Sequence, residues 1–243
     1  MNLTPVKMAR RVEPEWLDGL PWRDPVAVRS RRDLRRVNLL MGNAAIIQRE
    51  LNRHCGDESH RAIAEIGAGD GTLMLQLAQA CTPRWSDSDV VLLDRQDLVS
   101  PTTLNAFSSF GWRAECVASD VFSWLAEPPG RVFDVMVANL FLHHFEAPAL
   151  AALLSLIAGR TRLFVACEPR RSGLALLGSR LLGFVGCNRV VRHDAVVSVR
   201  AGFDAQELSA MWPRGGPWLL QEHAAGVFSH CFVARRLDGK SAA

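Results

Sequence analysis

Apolar runs of five or six residues alternate with segments that carry apolar side chains at helical spacing through the middle of the chain. Three helices are predicted between these runs, and Gly111 and Gly159 are expected to end the second and third. The helices are 70–80, 100–110 and 146–158. The runs predict strands at 62–66, 89–93, 113–117, 133–138 and 162–166. This alternation predicts an α/β fold, a parallel sheet with helices on both faces.

The C-terminal part of the chain has a different pattern. A short helix is predicted over 204–212, followed by strands at 218–223 and 228–235. Only four residues separate these two strands, which predicts a hairpin. One edge of the sheet should therefore contain an antiparallel strand.

Two segments lie outside the strand and helix alternation. Residues 1–58 are predicted to form an N-terminal helical cap, in which 30–53 has the apolar spacing of one amphipathic helix. Residues 171–201 combine leucines with a basic stretch and are predicted to be a helical cap inserted over the site. An ordinary packing helix is the alternative there. The remaining core is predicted to be 59–243.

The most informative motif is the turn after the first predicted strand. The strand carries Glu65 near its end, and glycines follow at 67, 69 and 71 before the next helix begins. Glycines in a strand–turn–helix let the backbone approach a nucleotide-like ligand closely. The dinucleotide fingerprint places its last glycine at position 72 here, which is Thr72. The motif is therefore Glu-x-Gly-x-Gly-x-Gly, which opposes a nicotinamide-dependent enzyme.

Composition narrows the class of protein. The chain has 243 residues, 49% of them hydrophobic, so one large domain can bury a core. A net charge of +3 is too weak to imply nucleic acid as a partner. The six cysteines have no zinc-ligand spacing, which favours reduced thiols. With no apolar run of about 18 residues, we expect a soluble cytoplasmic protein.

The glycine motif resembles the first motif of class I S-adenosylmethionine (SAM)-dependent methyltransferases. That resemblance covers about 62–235 and implies SAM as cofactor and a methyl-transferring enzyme. It also implies a Rossmann-like seven-stranded sheet of order 3-2-1-4-5-7-6, with the last strand antiparallel and helices on both faces.

The resemblance also assigns residues to the cofactor's methionine part. The backbone of the turn would lie against it, and Glu65 would orient the turn or meet the ammonium group. The turn positions concerned are Gly67, Ala68, Gly69 and Gly71. Asn139 and Leu140, after the fourth strand, would lie at the amino-acid end of the cofactor.

The adenosine part is assigned to residues after the second and third strands. Asp94 would accept hydrogen bonds from both ribose hydroxyls, and Arg95 would flank the adenosine. Asp120 would meet the adenine amino group, and the Val121 amide a ring nitrogen.

Three side chains are the catalytic candidates. The string that runs from Asn139 to the adjacent His143 and His144 resembles the small-molecule branch of the family. Imidazole titrates near pH ~6.5, so either histidine is a candidate general base, and local packing is the alternative for each. Glu168, after the fifth strand, would orient a histidine or bind substrate, or else cap a helix or pair with the following arginines.

Other branches of the family fit less well. Asn139 is followed by Leu140 and Phe141, without the Pro-Pro-aromatic string of enzymes that methylate nucleic-acid bases. Catechol-type enzymes place an Asp after strand four and an Asp-Asn pair after strand five for Mg²⁺. Here those places hold Asn139 and Glu168 with Pro169, so no metal is expected.

A narrower resemblance concerns the acceptor. Segments 30–43 and 192–200 are similar to methyltransferases encoded beside type III polyketide synthases, which implies O-methylation of phenolic lipids such as alkylresorcinols. The predicted partner is then a small-molecule acceptor with an alkyl chain, with contact to a membrane surface as a further expectation. The alternatives are a C-methyltransferase acting on a quinone or polyketide ring, and a non-catalytic SAM-binding protein.

Overall fold

The computed structural model describes residues 8–56, 58–82, 84–128 and 130–237. Seven strands form one sheet across these residues. They are β1 Ala62–Ile66, β2 Asp89–Asp94, β3 Arg113–Ala118, β4 Phe133–Asn139, β5 Thr161–Pro169, β6 Trp218–Ala225 and β7 Ser229–Arg236. Their order is β3-β2-β1-β4-β5-β7-β6, and β7 runs antiparallel to both β5 and β6. The predicted fold class and strand order are confirmed.

Helices cover both faces of this sheet. They are α1 Pro25–Met41, α2 Asn43–His54, α3 Thr72–Cys81, α4 Pro101–Ser108, α5 Val121–Ala126, α6 Ala147–Arg160, α7 Gly173–Leu181, α8 Arg189–Ala201 and α9 Glu207–Met211. Three short 3₁₀ turns lie at Leu17–Gly19, Leu142–His144 and Leu182–Val185.

The core lies in two layers because successive strand residues face opposite sides of the sheet. Ile63 and Val90 pack with Leu51 of α2 and Leu77 of α3 on one side. On the other side, Ala64 and Ile66 of β1 pack with Leu150 and Leu154 of α6 and with Leu208 of α9. The central strands are buried on both faces, which explains their continuous apolar runs.

Two helix predictions were wrong. The helix predicted over 30–53 is two helices, because Gly42 has φ +69° and ends α1 in the left-handed conformation. Gly159 does not end α6, which continues to Arg160 and then enters β5 directly. The arginine side chain bonds three backbone carbonyls, those of Leu125, Glu127 and Arg131, which anchors the helix end.

Other boundaries shifted for local reasons. The helix predicted over 204–212 is shorter, Glu207–Met211, and α5 was not predicted at all. Strand β5 extends to Pro169 because it lies between β4 and β7 and pairs with both. Burial on two sides outweighs the polar Glu168 and the proline near its end.

The two predicted caps contact each other above the sheet. The Asn188 side chain donates to Ser30 Oγ at 2.8 Å, and its backbone N–H donates to Asp33 Oδ2 at 3.1 Å. Residues 1–7 and 57 of the predicted N-terminal cap, and 83, 129 and 238–243 of the predicted core, lie outside the described residues. Among the helices described, none is long and apolar enough to cross a bilayer.

Candidate functional site

A cavity of about 550 Å³ lies at the carboxyl ends of β1 and β4, beneath α1, α7 and α8. In an open α/β sheet this is where ligands bind. Most of the predicted site residues line it: Glu65, Gly67, Ala68, Gly69, Asp94, Asn139, Leu140, His143 and His144. Gly71, Arg95, Asp120, Val121 and Glu168 are not part of its lining.

The turn after β1 depends on glycine at two positions. Gly67 has φ +72°, and a Cβ there would lie 2.3 Å from Phe141 Cδ2, so a side chain is excluded by both conformation and packing. Gly69 has φ +55°, and a Cβ there would meet open space. The backbone at Gly69 thus leaves room for a ligand to lie against it.

Asp94 fixes the far side of the turn. Its Oδ2 accepts from the Gly69 N–H at 2.9 Å, and its Oδ1 accepts from the Gln96 N–H at 2.9 Å. Each carboxylate oxygen can accept a second hydrogen bond. Asp94 can therefore hold the turn and still receive two ligand hydroxyls.

Glu65 is a buried carboxyl without a local cation. It is 2% exposed, and its Oε2 has no hydrogen-bond partner among the described residues. Burial, with Asp70 and Asp94 nearby, raises the pKa of Glu65 well above its ordinary value of 4.5. A cationic group in the cavity would offset this cost, and the ammonium of SAM has the required charge.

Asp120 caps a helix. Its Oδ1 accepts from the backbone N–H of Phe122 and of Ser123, which starts α5 at Val121. Both bonds end on Oδ1, so Oδ2 remains available to an adenine amino group. Gly71 is likewise the residue that precedes α3, with φ +73°. The adenosine contacts of Asp120, Val121 and the exposed Arg95 remain predictions.

The end of β4 is tied to the N-terminal helices and is strained. The Asn139 Oδ1 accepts from Asn43 Nδ2 at 2.9 Å, and the Asn43 Oδ1 accepts from Ser229 at 2.8 Å. Leu140 follows with φ +52°, a conformation that costs an L-residue roughly 1–2 kcal/mol. Such strain concentrates at functional sites, and Leu140 lines the cavity.

Glu168 positions the loop that carries the two histidines. Its carboxylate is fully buried and accepts from the backbone N–H of Phe141 and Leu142, at 3.0 and 2.8 Å. The His143 Nδ1 lies 2.8 Å from Glu168 Oε2. Glu168 is thus in direct contact with His143, and its catalytic role stays a prediction. The nearby Arg171 instead pairs with Glu207.

A second carboxylate, Glu15, reaches the same histidines from the N-terminal segment. Its Oε1 lies 3.4 Å from His143 Nε2, and its Oε2 lies 3.7 Å from His144 Nε2. Asp18 Oδ2 lies 3.8 Å from His144 Nε2, and Ser198 Oγ donates to Glu15. These acids and both histidines line one end of the cavity.

Mutual interactions shift the protonation of this group. Burial alone would lower the pKa of His143, but its bonds to Glu15 and Glu168 raise it to about 9. Burial tends to raise the pKa of Glu15, but His143 and His144 hold it below its ordinary value of 4.5. The two carboxylates therefore favour the charged form of His143, which opposes its use as a general base while both contacts persist.

The N-terminal segment is held in place by bonds to α8. Asp194 accepts from the backbone N–H of Trp16 and Leu17 at 2.9 and 3.0 Å. The Trp16 ring stacks on His193 with centroids 3.7 Å apart. Arg10 donates to the Ala201 carbonyl at 2.7 Å. Sequence reasoning missed Glu15 because no local motif links it to histidines 128 residues away.

Helix α1 closes the opposite side of the cavity. Arg35 pairs with Asp70 at 2.9 Å, and Arg31 donates to Gln96 at 3.4 Å. Between these polar contacts and the histidines the lining is largely apolar. It includes Leu34, Val37, Leu40, Met41, Leu182, Val199 and Phe228. The site therefore has two polar ends, one at Asp70 and Gln96 and one at the two histidines, with an apolar chamber between them.

Solved structures of similar fold include methyltransferases. An O-methyltransferase family protein from Burkholderia thailandensis is 16% identical with TM-score 0.61, over 90% of this chain and 62% of that one. The magnesium protoporphyrin IX methyltransferase ChlM from Synechocystis PCC 6803, with bound SAM, is 13% identical with TM-score 0.54, over 91% and 88%. The pyocyanin biosynthetic protein PhzM is 20% identical with TM-score 0.56, over 88% and 60%.

No protein-family model matches the sequence, and no curated protein matches it. The chain spans about three fifths of the length of the Burkholderia thailandensis protein and of PhzM. The resemblance to the methyltransferase fold is confirmed by these structures at the level of the fold.

Proposed function

We propose that this chain is a SAM-dependent methyltransferase that acts on a small apolar molecule, by O-methylation of a phenolic, alkylresorcinol-like acceptor. The observation that carries the proposal is that two carboxyls, Glu65 and Asp94, line the cavity beside a turn that leaves open space at Gly69. One carboxyl lacks a cation and the other can take two hydroxyls. SAM presents an ammonium group and a ribose diol.

The residues divide the cofactor between them. Glu65 and the backbone of Gly67 to Gly69 would hold the methionine part, beside Asn139 and the strained Leu140. Asp94 would hold the ribose. When bound, SAM supplies a methyl group on a sulfonium, which is transferred to the acceptor oxygen while the electron pair of the C–S bond stays on sulfur. The protein's task is to align the acceptor and exclude water.

The acceptor chamber supports an apolar substrate. It begins at the histidines and passes between α1, α7 and α8, where apolar side chains dominate. A phenolic ring with an alkyl chain would place its hydroxyl at the polar end and its chain among the leucines. The hydroxyl proton would be removed at the histidine end of the cavity, where His143 and His144 are the candidate bases.

The test is methyl transfer from labelled SAM to a panel of alkylresorcinols of increasing chain length. We expect label to enter the acceptor, with higher kcat/KM for longer chains, and fragment mass spectra to place the methyl group on oxygen. Label on a ring carbon would instead support the C-methyltransferase. SAM binding without transfer to any phenol or quinone would support the non-catalytic SAM-binding protein.

Exposed leucines beside the cavity support contact with a membrane surface. Leu39, Leu40, Leu181 and Val185 line the cavity and are also exposed, and Phe184 next to them is 89% exposed. Arg36 and Arg180 are exposed on the same helices. We include this contact with a membrane surface in the proposal.

The proposal also includes a cytoplasmic location. It divides the chain into an N-terminal cap, 1–58, and a core, 59–243, with 171–201 as an inserted cap.

A further inference from the structure

We infer that Glu15, His143 and His144 form a binding site for a divalent transition-metal ion such as Zn²⁺, at the histidine end of the cavity. Both Nε2 atoms face the Glu15 carboxylate, and the three groups offer one ligand atom each within 4.8 Å of one another. Two histidines and one carboxylate with an open position are a common set of Zn²⁺ ligands. Glu15 lies outside the positions at which Mg²⁺-dependent enzymes of this fold were compared with the sequence, which are Asn139 and Glu168 with Pro169.

The spacing of the ligand atoms favours an ion. The Nε2–oxygen distances are 3.4 and 3.7 Å, longer than the roughly 2.8 Å of a charge-assisted hydrogen bond. Two atoms each bound at about 2.1 Å in a tetrahedral arrangement lie about 3.4 Å apart. Both histidine–carboxylate distances are thus close to the separation of two ligands of one ion.

The other ring nitrogens fix the tautomers that a metal needs. The His143 Nδ1 lies 2.8 Å from Glu168, and the His144 Nδ1 lies 3.0 Å from the Phe141 carbonyl oxygen. A carbonyl can only accept, so His144 donates through Nδ1, and in the neutral ring Nε2 would carry the lone pair. Carboxylate and carbonyl partners of this kind are typical of metal-bound histidines.

The charge around the cluster also favours a cation. Glu15 and Glu168 contact His143, and Asp18 Oδ2 lies 3.8 Å from His144 Nε2. With two neutral imidazoles, Glu15 and Asp18 would lose the positive charge of the histidines, while Glu168 would still interact with Arg10. A proton shared by His143 and Glu15 is the competing way to supply positive charge.

A second cluster provides a built-in comparison. Glu50, His223 and Cys231 also lie within ligand distance of one another, on the other side of β7. Burial raises the pKa of the Cys231 thiol to about 12, which disfavours the thiolate that binds metals. His223 is 42% exposed. We expect no Zn²⁺ binding there.

The role of the ion rests on the proposed function, although its binding does not. A phenol oxygen in the open position would become more acidic on the metal, as bound water does. The O–H proton would leave to solvent, and the oxygen lone pair would form the bond to the methyl carbon. The cluster would then activate the acceptor without a free imidazole base.

The test is titration of chelator-treated protein with Co²⁺, followed through the visible bands of tetrahedral Co²⁺, and with Zn²⁺ in competition with a chromophoric chelator. We expect one equivalent to bind to the wild type. His144→Ala and Glu15→Gln should each weaken binding by about 100-fold or more, whereas His223→Ala should bind like the wild type.

Circular dichroism and binding of S-adenosylhomocysteine (SAH) serve as controls, because neither depends on the ion. No stoichiometric binding, or loss of binding in His223→Ala alone, would overturn the metal site. If SAH binding persists in that case, the methyltransferase proposal stands and only the metal inference fails. If metal binds and SAH does not, the metal site stands and the methyltransferase proposal fails.

Discussion

At the residue scale, Glu65 shows how a sequence signal and a structural cost coincide. The acid before a glycine turn was predicted from the motif, but its burial, with no hydrogen-bond partner for Oε2 among the described residues, is visible only in three dimensions. A buried carboxyl with an unsatisfied oxygen lowers stability when it is ionised. The protein keeps it beside the cavity, which is the expected arrangement for a residue that awaits a cationic ligand.

Replacing Glu65 by Gln tests this interpretation. We expect SAH affinity to fall about 10- to 100-fold, because a charged hydrogen bond contributes roughly 1.5–3 kcal/mol. At a pH above the raised pKa of Glu65, the ligand-free variant should melt at a higher temperature than the wild type. Calorimetric titration and thermal melts measure both, with the exposed Glu115→Gln as control. Unchanged affinity would remove Glu65 from the ligand site.

The same carboxyl sets a pH dependence. Its folded-state pKa lies above its ordinary value of 4.5, so its contribution to stability is present below that value and is lost as pH rises through the raised pKa. The free energy of unfolding of the ligand-free wild type should therefore decline over that range relative to Glu65→Gln. Urea titrations at several pH values would show parallel curves if the carboxyl were solvated.

At the scale of elements, the N-terminal segment is the part that sequence patterns describe least. Its charge pattern predicts a cap but not the position of Glu15, which is fixed by bonds from Asp194 on α8 and by stacking of Trp16 on His193. Similarly, one apolar period spans α1 and α2, although Gly42 turns the chain between them. Long-range contacts and a single backbone conformation decided these elements.

Asp194→Ala should release this segment from α8. Two backbone N–H groups lose their acceptor, so we expect amide exchange over residues 10–19 to rise at least tenfold, since each bond to a charged group contributes about 1.5–3 kcal/mol. Hydrogen exchange with mass spectrometry measures it, and the exposed Asp97→Ala is the control. Protection that stays at the wild-type level in Asp194→Ala would show that Arg10 and Trp16 hold the segment alone.

At the scale of the whole molecule, the sheet was the most predictable feature. The strands β1, β2, β4 and β5 have apolar runs because they are buried on both faces, whereas β3 lies at the edge of the sheet and is largely exposed. The hairpin follows from two runs split by a short turn. The glycine turn and Asp94 lie close together because β1 and β2 are adjacent parallel strands, and both groups are at their carboxyl ends. The contact between caps, the chamber and the Glu15 cluster depend on distant side chains, which no local pattern encodes.

The apolar rim of the cavity leads to a prediction about membranes. Leu40 and Phe184, 75% and 89% exposed, lie beside exposed arginines. Vesicles containing phosphatidylglycerol should sediment the protein, while vesicles of phosphatidylcholine alone should do so less. Leu40→Ser with Phe184→Ser should reduce binding about tenfold, whereas Leu237→Ser, exposed elsewhere, should not. Equal sedimentation of the double variant and the wild type would exclude the rim as the contact.

The most direct test of the account is the dissociation constant for SAH, measured by calorimetry on the wild type and on Asp94→Ala. The account predicts saturable binding of one SAH per chain, weakened at least tenfold in the variant while circular dichroism shows the same fold. Asp94 is chosen because it contacts the Gly69 backbone and lines the cavity. A wild-type protein that binds no SAH, or a variant that binds it equally well, would contradict the account.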